Sequence, residues 1–240
     1  MNIKAIISAV IFGLLNTAVA QNSPVIVELF TSQGCSSCPA ADKILGELSA
    51  KAKADGKQVY ALSFHVDYWN YIGWKDPYSS KEFTERQRAY AQSMNLQSIY
   101  TPQMIVNGKE EFVGSSKSQA ERAIASAINS KLLYQIKITD VEKESGRIKL
   151  HYTLDKNANG ESLNIALVEP EVENFVPHGE NSGKRLHHNN VVRYFKVVPL
   201  QREGELEVTL PASSSALSVI LYIQNKELEC MGATLKALAL

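Results

Sequence analysis

The stretch VIVELFTSQGCSSC, at residues 25–38, decides the fold of this chain. Its apolar beginning, which ends at Phe30, predicts a buried strand. A short polar turn follows, and the pair Cys35 and Cys38 then opens a helical pattern that extends to about Ala54. A helix N-terminus directs unpaired N–H groups and partial positive charge at the first sulfur, which favours its thiolate. A CxxC in this position predicts a redox-active dithiol, although a static disulfide or half of a metal site uses the same residues.

The first twenty residues have the pattern of an export signal. Residues 1–4 form a short basic region, residues 5–15 are apolar, and Ala18-Val19-Ala20 is a small-residue cleavage site before Gln21. The apolar run is too short for a membrane span. We therefore expect a periplasmic or secreted mature chain that begins near Gln21, in an oxidising compartment where disulfide chemistry is the default for a cysteine pair.

The charge of the chain is balanced, with 25 basic and 25 acidic residues and no run of either sign. This balance argues against a nucleic-acid partner or a membrane surface. The expected partners are protein or small-molecule thiols and disulfides. We expect no cofactor, no metal and no membrane span, and the sequence does not indicate an oligomeric state.

The first 130 residues alternate between strand-like and helical patterns. After the first strand and helix, residues 59–66 predict a second strand and residues 80–95 a second helix. Two short strands flank Asn107-Gly108, which is a strong hairpin signal, and residues 118–129 predict the last helix. The order strand, helix, strand, helix, hairpin, helix predicts a thioredoxin-like α/β domain over residues 21–131.

From about residue 131 the helical pattern gives way to alternation of apolar and polar residues. About seven such segments are separated by turn signals such as Asn159-Gly160. This pattern predicts a small all-β domain, an antiparallel sandwich, over residues 132–240. Residues 177–190 are expected to form a long polar loop between two strands, which either folds over the CxxC or is a solvated insertion.

Thr101-Pro102 lies at the start of a predicted strand. In a thioredoxin-like fold, the residue before a cis-proline faces the CxxC and pairs with the substrate backbone. A cis bond is uncommon for an arbitrary proline, and a strand-initial trans proline is the plain alternative. Taken with the cysteine pair, the cis interpretation is favoured. Cys35 is then the attacking thiol, Cys38 resolves the mixed disulfide, and Thr101 and Pro102 dock the substrate.

Glu28 lies within the first apolar strand, seven residues before Cys35. A buried carboxylate without a partner is costly. Two interpretations are equally favoured: a catalytic proton acceptor that serves Cys38, or a strand-end residue that faces solvent.

His65, Asp67 and Trp69 lie in a segment that starts at the C-terminal end of the second predicted strand, at the sheet edge where the CxxC also lies. They are candidates for the rim of an active site and for substrate binding. The alternative is an aromatic plug that covers the sheet edge, which is favoured for Trp74. Cys230 is an odd cysteine in phase with an apolar strand, so a buried thiol is favoured over a third redox partner.

The string VELFTSQGCSSCP, at residues 27–39, resembles a family of secreted bacterial thioredoxin-like proteins, the domain of unknown function 1223. The resemblance extends over nearly the whole mature chain, through the segments FHVDYW (64–69), GWKDP (73–77), TERQ (84–87), YTPQ (100–103), FVG (112–114), GENSG (179–183) and HNNVVR (188–193). It implies a thioredoxin-like domain followed by a β-rich domain, with Cys35 and Cys38 at the family's CxxC and Pro102 at its cis-proline. It implies no substrate.

The favoured function is that of an exported enzyme, a thiol–disulfide oxidoreductase that exchanges disulfides through its CxxC. Two alternatives stay open. One is an envelope protein that binds copper or another soft metal through the cysteines, helped by Met104 or His65. The other is a redox-silent binding protein of the cell envelope, in which the cysteine pair is a structural staple.

Overall fold

The computed structural model describes residues 22–211 and 216–238, so the predicted export signal and the predicted mature start at Gln21 lie outside the described residues. A short 3₁₀ helix lies at Asn70–Ile72. The strands and helices are, in chain order, β1 (Val25–Thr31), α1 (Cys38–Ala54), β2 (Val59–His65), α2 (Lys81–Ser93), β3 (Gln103–Val106), β4 (Glu110–Val113), α3 (Lys117–Ile128), β5 (Ile136–Glu144), β6 (Arg147–Leu154), β7 (Ser162–Val176), β8 (Lys184–Pro199), β9 (Glu203–Thr209), β10 (Leu217–Gln224) and β11 (Cys230–Leu238).

One mixed sheet of eight strands runs through both halves of the chain, in the order β11-β10-β7-β8-β2-β1-β3-β4. β1 pairs in parallel with β2 and antiparallel with β3, and α1 connects β1 to β2. The predicted α/β arrangement of the first half is confirmed at this level. β8 joins β2 in parallel at Ser63 and Val191. The edge of β2 would otherwise present unpaired N–H and C=O groups, so strands of the second half extend the sheet there.

A separate antiparallel sheet contains β5, β6 and β9. Its central strand β6 alternates between more and less exposed positions, with Ile148, Leu150, Tyr152 and Leu154 buried. These side chains form one apolar core with residues of β7 and β10, such as Leu163. The all-β half thus contains two facing sheets, as a sandwich requires, but one of them belongs to the eight-stranded sheet.

The hairpin of β7 and β8 corrects one prediction. Residues 177–190 were expected to form a loop, but residues 184–190 belong to β8 and only 177–183 form the turn. The polar composition hides this strand, because Arg185 and His187 face solvent and pair with Glu173 on β7. The side chains of Leu186 and His188 point inward and are buried.

β8 also runs alongside α1. The side chain of Asn189 lies against Gly46, where an added Cβ would come within 2.5 Å of the Asn189 amide nitrogen. One turn further along α1, Asn190 Nδ2 donates to Ser49 Oγ at 3.4 Å. Gly46 therefore lets a strand of the second half approach the helix that begins with the CxxC.

β1 is buried on both faces because it lies inside the sheet. On one face Val27 and Leu29 pack against α1 and α3. On the other face Ile26 and Phe30 pack in a second core, with residues of α2 and β10. Glu28 projects into this second face, between Ile26 and Phe30, because successive strand residues point to opposite sides.

Glu28 forms a buried ion pair with Arg86 of α2. Its two carboxylate oxygens accept from Arg86 Nε at 2.6 Å and Nη2 at 2.8 Å, and Tyr90 donates its hydroxyl to the same carboxylate at 2.5 Å. Arg86 Nη2 also donates to Tyr222 of β10 at 2.7 Å. The guanidinium carbon lies 4.6 to 5.6 Å from the centres of four aromatic rings, those of Phe64, Tyr90, Phe195 and Tyr222.

We predict that Glu28→Gln and Arg86→Met each lower the free energy of unfolding by about 3–5 kcal/mol, because each leaves the partner's charge buried and unpaired. The double variant should lose clearly less than the sum, since it removes both charges. Urea unfolding of the four proteins measures this coupling. Additive losses would contradict the prediction.

Candidate functional site

The cysteines of the CxxC form a disulfide at the start of α1, with 5.4 Å between their Cα atoms. Cys38 is the first residue of the helix, and its N–H donates to the carbonyl of Cys35 at 3.2 Å. Pro39 follows in the first turn, where the missing N–H costs nothing. The predicted placement of the CxxC at a helix N-terminus is confirmed.

Both sulfur-bearing residues are shielded from solvent. Cys35 is 1% exposed and Cys38 is fully buried, whereas Ser36 and Ser37 between them are exposed. The disulfide is therefore closed to a partner molecule in this structure.

The peptide bond between Thr101 and Pro102 is cis, as the sequence predicted. An added Cβ at Gly114 would lie 3.1 Å from the Cβ of Ala41 on α1 and 3.3 Å from that of Pro102, so Pro102 lies beside the first turns of that helix. Trp69 Nε1 donates to Thr101 Oγ1 at 2.8 Å.

The three candidates lie at the end of β2 or just beyond it, and the structure brings Trp69 to the CxxC loop, residues 32–37. An added Cβ at Gly34 would lie 3.0 Å from the Cβ of Trp69. Asp67 instead accepts from Thr84 Oγ1 of α2 at 2.6 Å, and His65 lies buried below the surface. Trp69 is thus the candidate that links the loop to Thr101.

A buried network of ionisable side chains starts at His65. Its Nδ1 lies 2.7 Å from Asp76 Oδ2, and the same oxygen accepts from the backbone N–H of Gln33 at 2.9 Å. The side chain of Gln33 accepts from Trp74 Nε1 at 3.0 Å and lies 3.2 Å from His188 Nε2. Gln33, two residues before Cys35, is therefore held by buried side chains on its protein-facing side.

The network continues to α1 through His188 and Asp42. Their closest atoms, Nδ1 and Oδ2, are 3.2 Å apart, and Thr31 Oγ1 donates to the same carboxylate oxygen at 3.2 Å. Asp42 follows Cys38 by four residues, so both lie on one face of the helix, one turn apart. Its Oδ1 atom has no hydrogen-bond partner among the described residues.

Sequence reasoning gave no role to Asp42, Asp76 or His188, all of which are buried here. In the sequence, Asp42 has the pattern of an ordinary carboxylate near the start of a helix. His188 lies in a segment that was predicted to be a loop. The signal that was available is the pair of segments GWKDP and HNNVVR, which contain Asp76 and His188.

Glu28 and Cys230 lie elsewhere. Glu28 is held by Arg86 on the face of the sheet opposite α1. Cys230 is a buried free thiol in the same second core, as predicted, and burial raises its pKa to about 12. Neither residue lies on the face of the sheet that packs against α1 and carries the disulfide.

Residues 26–224 match the family described as "Protein of unknown function (DUF1223)". The chain belongs to this family. Among solved structures, it is similar to the crystal structure of protein AGR_C_4864 from Agrobacterium tumefaciens, with 30% identity and a TM-score of 0.63 over 90% of this chain and 95% of that one.

A second solved structure, a β-glucosidase from Kluyveromyces marxianus, shares 9% identity with a TM-score of 0.21, over 45% of this chain and 15% of that one. A likeness this weak does not indicate a shared fold. No curated protein matches the chain. Within residues 22–211 and 216–238, no helix is long and apolar enough to cross a bilayer, and no group of three His, Cys, Asp or Glu side chains is arranged to hold a metal.

We predict that the His65–Asp76 pair makes stability depend on pH. Burial disfavours a charged His65, but the Asp76 carboxylate outweighs it, so the pKa of His65 lies above its usual value. Burial likewise opposes a charged Asp76, but His65 outweighs it, so the pKa of Asp76 is lowered. The stabilisation is complete between roughly pH 4 and 6.5, is lost as the pH rises from there through the raised pKa of His65, and is lost below roughly pH 4 as Asp76 is protonated.

Urea unfolding of the wild type from pH 6 to 9 should show this loss of stability, and His65→Gln should flatten it. The matched control is His187→Gln, at an exposed histidine of β8, which should keep the wild-type slope. The prediction fails if His65→Gln retains the wild-type pH dependence.

Proposed function

We propose that this protein is a thioredoxin-like thiol–disulfide oxidoreductase of the cell envelope, exported by its N-terminal signal. One observation carries the proposal: the disulfide of Cys35 and Cys38 lies at the start of α1, and the cis bond before Pro102 lies beside the same helix end. The substrates are protein or small-molecule thiols and disulfides. The chemistry needs no cofactor, because the two sulfurs carry the electrons.

In the direction of substrate oxidation, a substrate thiolate attacks Cys35, and the Cys35–Cys38 bond breaks as a mixed disulfide forms. Cys38 leaves as a thiolate. A second substrate thiol then displaces Cys35, so the substrate loses two electrons and two protons and the protein gains them. The N–H groups and dipole at the start of α1 stabilise the Cys35 thiolate that leaves. Thr101, held by Trp69, offers its backbone to the substrate strand.

Asp42 serves this reaction as the group that exchanges a proton with Cys38. It is buried one turn after Cys38 on the same helix, and its Oδ1 atom has no partner among the described residues. Sequence reasoning offered Glu28 for this role, but Arg86 and Tyr90 occupy its carboxylate. We therefore assign the proton transfer to Asp42 and a structural role to Glu28.

The burial of both cysteines favours a second candidate, a redox-silent envelope binding protein in which the disulfide is a staple. The two functions differ in whether the disulfide equilibrates with thiols in the native protein. A working dithiol is reduced at moderate potential, whereas structural disulfides resist reduction to below about −300 mV.

The redox equilibrium of the Cys35–Cys38 pair against a glutathione series, in a Cys230→Ala background and read by thiol trapping, separates the two candidates. We expect a two-electron transition between about −270 and −120 mV, the range of known dithiol oxidoreductases. A pair that stays oxidised throughout the series would refute the oxidoreductase and favour the staple.

We also predict that Asp42→Asn slows the resolution of a mixed disulfide on Cys35 by about 100-fold at pH 7, the low end for loss of a general base. Stopped-flow release of a chromogenic thiol from that mixed disulfide measures the rate. Asp55→Asn, at an exposed position of the C-terminal end of the same helix, is the matched control and should match the wild type. An unchanged rate in folded Asp42→Asn would remove Asp42 from the mechanism.

A further inference from the structure

The hairpin tip, which is the turn of the β7–β8 hairpin at residues 177–183, lies over the CxxC loop. Asn181, in the middle of this turn, is fully buried. Its Nδ2 donates to the carbonyl of Gln33 at 3.0 Å and to that of Cys35 at 2.9 Å, across 146 residues of chain in the second case. Its Oδ1 accepts from Lys184 Nζ at 3.0 Å. Both donors and the acceptor of this amide are used, so it binds the loop on either side of Gly34.

Glu180 makes a second contact from the hairpin tip. Its Oε2 accepts from the backbone N–H of Ser36 at 2.9 Å. Hydrogen bonds from Ser36 lower the pKa of this carboxyl group, so it is charged at neutral pH. A carboxylate before the first turn of α1 also interacts favourably with the helix dipole.

Ile72 fills the space between the hairpin tip and the loop. An added Cβ at Gly179 would lie 2.9 Å from Ile72 Cδ1, and an added Cβ at Gly34 would lie 3.0 Å from the same atom. The side chain is thus packed between a residue of the hairpin tip and the residue before Cys35. The hairpin tip therefore contacts the loop directly through two polar side chains, Glu180 and Asn181, and indirectly through Ile72 of the 3₁₀ helix.

We propose that Asn181 and Glu180 are positioning residues that hold the CxxC loop shut, and that disulfide exchange at Cys35 proceeds through local opening of the hairpin tip. This inference rests on the proposed oxidoreductase function. Exchange requires a thiolate to reach the Cys35 sulfur along the S–S bond, and Cys35 is 1% exposed while the hairpin tip is in place. The hairpin tip thereby decides which thiols and disulfides the protein exchanges with.

The reaction that tests this is reduction by dithiothreitol. Its thiolate attacks Cys35, its second thiol closes the reagent's own disulfide, and one S–S bond is exchanged for another. The two electrons and two protons of the reagent pass to Cys35 and Cys38. If opening precedes attack, the observed rate is the product of the opening equilibrium and the intrinsic rate of attack.

We expect Asn181→Ala to be reduced at least tenfold faster than the wild type, because it removes both hydrogen bonds to the loop. Glu180→Ala should be reduced a few-fold faster, and Glu180→Gln should lie between Glu180→Ala and the wild type, because its amide oxygen still accepts from Ser36 but the charge that faces the helix N-terminus is lost. The matched control is Glu173→Gln, on the same hairpin but bonded to Arg185 and His187, which should keep the wild-type rate.

Two further measurements keep the test independent of folding defects. Hydrogen exchange at the Ser36 amide should accelerate by the same factor as reduction in each folded variant. In the wild type, the reduction rate should rise with urea much less steeply than global unfolding does, because local opening exposes little surface.

An unchanged reduction rate in folded Asn181→Ala overturns the inference. A wild-type rate that follows urea as steeply as global unfolding also overturns it, because the disulfide is then reached only in the unfolded chain. In both cases the proposed function stands if the disulfide equilibrates with glutathione. A disulfide that never equilibrates refutes the proposed function itself.

Discussion

The carboxylate of Glu28 in the middle of an apolar strand is the constraint on which the rest of the architecture depends. A charge there is tolerable only if it is paired and if its remaining lone pairs are satisfied. Arg86 of α2 supplies the charge, and Tyr222 of β10 donates into the same cluster. The two halves of the chain are therefore held together by one cluster that neither half completes alone. The cluster thereby stabilises the single sheet that runs across both halves.

A second group of buried ionisable side chains lies under the CxxC loop, and it too is assembled from both halves. His65 and Asp76 come from the first half, and His188 comes from β8 to meet Asp42 on α1. The ring centres of His65 and His188 are 4.6 Å apart. Because the loop before Cys35 is bonded to this group through Gln33, the position of the disulfide depends on ionisable side chains that solvent does not reach.

The sequence predicted the features that depend on local pattern. The apolar run of β1, the helix after the CxxC, the Asn107-Gly108 hairpin and the seven strands of the second half follow from periodicity and turn residues. It did not predict that β8 pairs with β2 and packs along α1, because partners so far apart in sequence leave no local signal. The same limit explains why Asp42 and His188 were missed, since each looks like a surface residue until its partner is known. For Glu28, the sequence showed that burying an unpaired carboxylate in β1 would be unfavourable, but it did not show that Arg86 is the partner.

The contact of Asn181 with the Cys35 carbonyl spans 146 residues, and this sets an order of events during synthesis. Chains emerge N-terminus first, and contacts between distant residues form late in folding. The two cysteines are made long before the hairpin that covers them. The cysteine pair is thus accessible while the chain is incomplete, and it becomes shielded only when the β7–β8 hairpin folds onto it.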